Sequence, residues 1–128
     1  MNRLSGKTAI ITGGARGIGQ ATARKFLLEG AAVAIWDVDE SAGQAATLAL
    51  KNTGGTLRFY KVDTTNLAAV TEAAGQVVQD FGRIDILVNN AGITRDASLK
   101  NRSARQWQQV IDVNLTGVFN CTKAVYPH

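Results

Sequence analysis

One short stretch carries residue types at a spacing that can do chemistry. Residues 12–19 read TGGARGIG, with the framework Thr12-Gly13-x-x-x-Gly17-x-Gly19. Gly13 lets the chain leave a strand in a tight turn. Gly17 has no Cβ, so backbone can approach a pyrophosphate. Gly19 lets the following helix pack close on the sheet. Gly17, Ile18 and Gly19 open that helix, whose first N–H groups and positive dipole end suit phosphates. The alternative is a tight strand-to-helix turn that holds no ligand.

Asp37 lies 18 residues after Gly19. A dinucleotide-binding fold places an acid there to bind the adenosine ribose hydroxyls. The alternative is an N-cap for the next helix. A carboxylate at this point repels a ribose 2′-phosphate and favours NAD. Arg16 pulls toward NADP, because a guanidinium in the glycine turn can pair with that phosphate; its other reading is a solvated turn residue. The balance lies with NAD, and NADP stays open. A methyltransferase also uses a glycine turn followed by an acid, but arranges the turn differently.

These residues need elements to position them. Residues 8–12 (TAIIT), 31–37 (AAVAIWD), 56–63 (TLRFYKVD) and 84–89 (IDILVN) are short apolar runs that read as buried strands. Between them lie helical patterns. Residues 17–29 place Ala23, Phe26 and Leu27 on one face, with Gly30 as a stop. Residues 41–52 are Ala-rich and end at Gly54-Gly55. Asn66 caps a helix whose stripe is Leu67, Val70, Ala74, Val77, Val78 and Phe81, and Gly82 stops it. Ser103 caps a last helix that runs toward the end of the chain. Near-continuous apolar strands imply a sheet covered on both faces, hence parallel. Right-handed crossovers then predict an α/β, Rossmann-type doubly wound parallel sheet in three αβα layers, with strand order 3-2-1-4.

Composition excludes several other classes. The 128 residues are 45% hydrophobic and 19% charged, as in ordinary globular domains. Fourteen basic against ten acidic residues give +4, but the basic ones are scattered. The densest group, Arg95, Lys100, Arg102 and Arg105, includes Asp96 and does not interleave with aromatics, which argues against nucleic acid. A single cysteine, Cys121, forms no internal disulfide and no CxxC metal site; it fits a reducing compartment and reads as core. Neither a signal-type apolar segment nor a membrane-span pattern occurs, so the expected setting is cytoplasmic, with no membrane partner and no metal.

Asn114 stands out on spacing. The stripe from Trp107 through Val110, Ile111, Leu115 and Val118 puts it on the expected buried face, nearly two turns past Trp107. A buried amide without partners costs about 1–3 kcal/mol, so a satisfied structural role is one reading.

TGGARGIG, the Asp63 that ends VD, and Asn89-Asn90-Ala91-Gly92 together resemble the short-chain dehydrogenase/reductase family. The stretch NNAGITRD followed by W..VI.VNLTGVFN is most similar to 3-oxoacyl-(acyl-carrier-protein) reductases. The resemblance covers the whole chain. It implies that Asp63 holds the adenine amino group. Asn90, Ala91 and Gly92 then lie along the cofactor beside strand one, although NNAG alone could be a strand-ending turn. Asn114 resembles the tetrad asparagine, which kinks this helix and holds a water in the proton relay. The implied substrate is a carbonyl or secondary alcohol, here a 3-oxoacyl thioester, and the implied assembly is a homo-oligomer. An acyl carrier protein could meet the basic group around Arg95 to Arg105, which otherwise reads as a solvated loop.

The same resemblance implies a Ser and a Tyr-x-x-x-Lys beyond the last helix. Tyr60 is followed four residues on by Thr64, and Tyr126 lies two residues from the end. Ser5, Ser41, Ser98 and Ser103 all precede Asn114. Residues 1–128 are therefore expected to be a partial cofactor-binding domain, truncated before a fifth strand and inactive alone. Its fourth strand is expected to be an open apolar edge. A non-catalytic nucleotide-binding module and a non-functional truncated product are the alternatives.

Overall fold

The computed structural model describes residues 2–92 and 103–128. Strands β1 (Thr8–Thr12), β2 (Ala32–Asp37), β3 (Leu57–Lys61) and β4 (Ile86–Val88) form one sheet in the order β3-β2-β1-β4. Every pairing is parallel: Thr8 sits opposite Ala32, Ala9 opposite Ile86, and Val33 opposite Leu57. Helices α1 (Gly17–Leu28), α2 (Glu40–Ala49) and α3 (Leu67–Phe81) connect the strands, and α4 (Ala104–Ile111) and α5 (Gly117–Val125) follow. This is the expected doubly wound order.

The strands read as continuous apolar runs because both sheet faces are covered. Successive side chains point to opposite faces. Ile10, Ala34 and Trp36 therefore meet Val70, Ala74 and Val77 of α3 and Cys121 and Ala124 of α5. Ile11, Val33 and Ile35 meet Ala23 and Leu27 of α1 and Ala46 of α2. Cys121 is 1% exposed, and burial pushes its thiol up to about 11, so it is core and no nucleophile at neutral pH.

The expected caps form. Asn66 Oδ1 accepts the Ala69 N–H at 3.1 Å, and Gly82 closes α3 in the left-handed region at φ 86°. Ser103 and Gln106 make a reciprocal capping box at the start of α4. The last helix departs from the continuous stripe read from spacing and is interrupted where the resemblance implied a kink, at Asn114. A π-helical turn at Asp112–Thr116 divides α4 from α5. Strand β4 is also shorter than the predicted 84–89. Before it, Asp85 meets β1 through backbone and side chain together: its N–H donates to the Thr8 carbonyl at 2.9 Å and its carboxylate accepts the Thr8 N–H at 2.9 Å. Among the described residues no helix is long and apolar enough to cross a membrane. No group of three or more His, Cys, Asp and Glu is placed to hold a metal among them.

Candidate functional site

A cleft of about 510 Å³ opens at the carboxyl ends of β1, β2 and β4, the crevice position of a doubly wound sheet. It brings together Gly13, Arg16, Asp37, Asp63, Asn90, Ala91 and Gly92, all singled out by sequence. Val113, from the π-helical turn, completes one wall.

The glycine turn is built by close approach. Gly13 is left-handed at φ 65°, and a Cβ there would come within 2.9 Å of Ala91 Cα. A Cβ on Gly19 would fall 2.2 Å from the Gly13 carbonyl oxygen and 2.5 Å from Asn90 Nδ2. Gly19 thus packs against the turn itself and strand four's exit, rather than against the sheet as spacing suggested. Gly17 is left-handed at φ 59°, and a Cβ there would meet nothing within 4 Å. That open space is where a bound group could approach backbone. Helix α1 starts after Arg16 with no side-chain cap, whereas Asp39, Asn66 and Ser103 cap the helices that follow them. Uncapped N–H groups and the positive dipole end suit a phosphate. Ile18, the second residue of α1, is 80% exposed.

Thr12 ties the two strand ends together. Its Oγ1 accepts the N–H groups of Asn90 at 3.0 Å and Ala91 at 2.9 Å, and donates to the Val88 carbonyl at 3.4 Å. Asn90 Nδ2 donates to the Gly13 carbonyl at 3.1 Å. The Asn90 side chain is therefore a brace between the glycine turn and the exit of β4. Sequence placed Thr12 in the framework but held no sign of this knot, which depends on strands 76 residues apart.

The acids divide their work. Asp37 accepts the Ala15 N–H at 3.3 Å and the Asp39 N–H at 3.0 Å. It does not cap the next helix. Asp39 does, accepting the Ala42 N–H at 3.0 Å. The N-cap alternative for Asp37 is thereby removed. Arg16 forms an ion pair with Asp39, so it is not simply a solvated turn residue. The Ala42 N–H, and after it the Arg16 guanidinium, hold the Asp39 carboxyl below the usual carboxylate range. Asp63 accepts from the Thr65 N–H at 2.9 Å and hydroxyl at 2.6 Å. This fixes the turn after β3 at the cleft.

Asn114 departs from the sequence expectation. It is exposed, and so are Trp107 and Leu115, at 55% and 64%. For Asn114 and Leu115 the cause is the π-helical turn, which adds a residue to the helical repeat and rotates the faces from there on; Trp107 lies before it, on the exposed side of α4. The buried stripe is instead Gly117, Asn120, Cys121 and Ala124. Asn114 sits within the π turn and faces Gly92: a Cβ on Gly92 would lie 3.2 Å from Asn114 Oδ1. Of the basic group, Arg105 is exposed on α4; Arg95, Asp96, Lys100 and Arg102 lie outside the described residues.

Asn120 was missed by sequence. It is 5% exposed, and its Nδ2 donates to the Thr64 carbonyl at 2.9 Å, tying α5 to the turn that carries Asp63. Its place one residue before Cys121 and three after Gly117 is the signal that could have found it. Tyr60 donates its hydroxyl to Asp80 at 2.6 Å, and burial followed by that carboxylate raises its pKa above the phenol range. It makes a poor proton donor at neutral pH. Trp36 floors the cleft, and its Nε1 finds no hydrogen-bond partner among the described residues.

Comparison with known proteins agrees with this geometry. The short chain dehydrogenase family model matches residues 7–128. The 3-oxoacyl-(acyl-carrier-protein) reductase of Thermotoga maritima is 44% identical over 126 residues, which cover 98% of this chain and 51% of the relative. A 3alpha-hydroxysteroid dehydrogenase of Mediterraneibacter gnavus is 40% identical over 123 residues, 94% of this chain and 49% of the relative. The solved structure of an NAD+-bound xylitol dehydrogenase superposes with TM-score 0.92 at 35% identity, covering 96% of this chain and 48% of that one. The chain spans about half the length of the curated relatives it matches. With a cleft at the sheet's switch point, a glycine turn braced by Asn90 and a match over residues 7–128, the chain belongs to the short-chain dehydrogenase family.

Proposed function

We propose that residues 1–128 are the nicotinamide-dinucleotide-binding part of an oxidoreductase that interconverts a carbonyl and a secondary alcohol. The observation that carries this is the uncapped start of α1 with open space at Gly17, next to Arg16, which lines the cleft together with Asp37 and Asp63. The N–H groups at the start of α1 bind the pyrophosphate. Asp37 has lone pairs left beyond its two backbone partners and accepts from the adenosine ribose hydroxyls. That choice favours NAD over NADP. Asp63 takes the adenine amino group. Asn90, Ala91 and Gly92 wall the path toward the nicotinamide end. When bound, the dinucleotide supplies the site from which a hydride leaves or to which it comes. Asn114, against Gly92, holds a water for the proton that accompanies it.

The two curated relatives are named for substrates as different as an acyl carrier thioester and a steroid, yet match these residues at 44% and 40% identity. This supports assigning cofactor binding, rather than substrate choice, to this part. By its likeness to the reductases, the proposed substrate is a 3-oxoacyl thioester, the carrier an acyl carrier protein near Arg105, and the assembly a homo-oligomer. The Ser, Tyr and Lys of catalysis belong to other residues than these, and the 128 residues alone turn over no substrate.

The test is Asp37→Ala. It should weaken NAD binding about tenfold or more, as expected for losing charge-assisted hydrogen bonds, and NADP binding less. Equal losses for the two dinucleotides, measured by calorimetry, would remove the assignment of Asp37.

A further inference from the structure

We propose that Asp39 is a specificity-determining residue: by engaging Arg16 it withholds the guanidinium from a ribose 2′-phosphate and so turns the cleft toward NAD. This rests on the dinucleotide reading above. Two contacts join the glycine turn to the corner after β2, and a third closes the corner on itself. Ala15 N–H reaches Asp37, Asp39 N–H reaches the other oxygen of Asp37, and Arg16 reaches Asp39. Both Arg16 and Asp39 line the cleft. Without Asp39, the corner after β2 would present the Asp37 carboxylate beside one free guanidinium, a pairing that accepts a phosphate dianion beside the ribose. With Asp39 in place, two carboxylates face one cation, and the excess negative charge opposes that phosphate.

The division of labour within Asp39 makes this switchable. One carboxylate oxygen accepts from Ala42 N–H and caps α2; the other takes Arg16. The Arg16 and Asp39 side chains stay 67% and 41% exposed, so the pair is open to competition from an incoming anion. A cap needs only a neutral acceptor, whereas holding Arg16 needs the charge.

Asp39→Asn separates the two roles. Asn caps a helix as well as Asp does, so the thermal midpoint should change little. NAD and NADP are titrated calorimetrically into the unmodified chain, Asp39→Asn, Arg16→Gln and the double variant. The NADP-to-NAD affinity ratio should rise about five- to tenfold in Asp39→Asn, and less at high salt. The double variant should lose that gain, and Arg16→Gln alone should move the ratio little. An unchanged ratio in Asp39→Asn, with NAD still bound, would overturn the role of Asp39 and leave the dinucleotide reading standing. A gain that persists without Arg16 would also overturn it, since charge removal alone would then be the cause. Binding of neither dinucleotide by the unmodified chain would sink both.

Discussion

The two flanks of the sheet are finished differently. At the β3 flank, Arg58 and Lys61 are exposed on the strand, Arg58 pairs with Asp80, and Tyr60 donates to the same carboxylate. Phe59 lies under α2 so closely that a Cβ on Gly43 would fall 2.3 Å from its ring. At the β4 flank, Ile86, Leu87 and Val88 are all apolar and all only half-buried. Among the described residues β4 pairs with β1 alone. In the helical segment that follows in the chain, Leu115 and Phe119 are 64% and 61% exposed. Charges on an edge discourage a further strand, and an apolar edge invites one. One flank is closed by its own side chains; the other is an apolar surface of the kind that another layer covers.

This difference can be broken by truncation on each side. Phe59→Ala should cost about 2–4 kcal/mol, somewhat below the figure for a fully buried ring, since Phe59 is half-buried. Ile86→Ala should cost about 1 kcal/mol, because a half-exposed side chain has little burial to lose. Urea denaturation of both variants measures this. Equal losses would mean that β4 is as well covered as β3.

The seam between the flanks offers the next effect. Thr12→Val removes the oxygen that takes the Asn90 and Ala91 N–H groups; the Asn90 N–H keeps the Val88 carbonyl at 3.1 Å, so the part-buried Ala91 donor loses its acceptor, for about 1 kcal/mol. NAD affinity should fall with it, since Asn90 and Ala91 line the cleft. A variant that loses stability but binds NAD unchanged would separate the knot from the site.

The smallest effect is in acid. The Arg83 guanidinium first, and then the Thr8 N–H, hold the Asp85 carboxyl below its usual range. A depressed carboxylate stabilises the fold above its unfolded pKa of about 3.9, and that contribution is lost as pH falls through the lower folded value. Asp85→Asn should therefore lower the melting point at pH 7 slightly and bring the two proteins together as pH drops below about 4. A constant gap across that range would mean the charge of Asp85 does not matter.

Sequence made the sheet legible because its signals are local and periodic. Apolar runs, the caps at Asn66 and Ser103 and the stop at Gly82 each act within one turn or strand. The glycine turn was legible because its glycines sit where backbone must turn left-handed or lie open, as Gly13 and Gly17 do. Less local features escaped. Whether Asp37 or Asp39 caps α2 depends on how a three-residue corner turns, and both residues suit either place. The π-helical turn leaves no propensity mark, so a 3.6-residue stripe carried Asn114 into a core it does not enter. Asn120 and Thr12 act across 56 and about 76 residues of chain, and no window of sequence sees such a partner.

Calorimetric titration of NAD into the purified chain, with Asp37→Ala alongside, tests most directly whether the cleft at the ends of β1, β2 and β4 binds a nicotinamide dinucleotide. Saturable binding at one site per chain, weakened about tenfold or more by Asp37→Ala, is the predicted result. No saturable binding by a folded chain, or binding that Asp37→Ala leaves untouched, would contradict it.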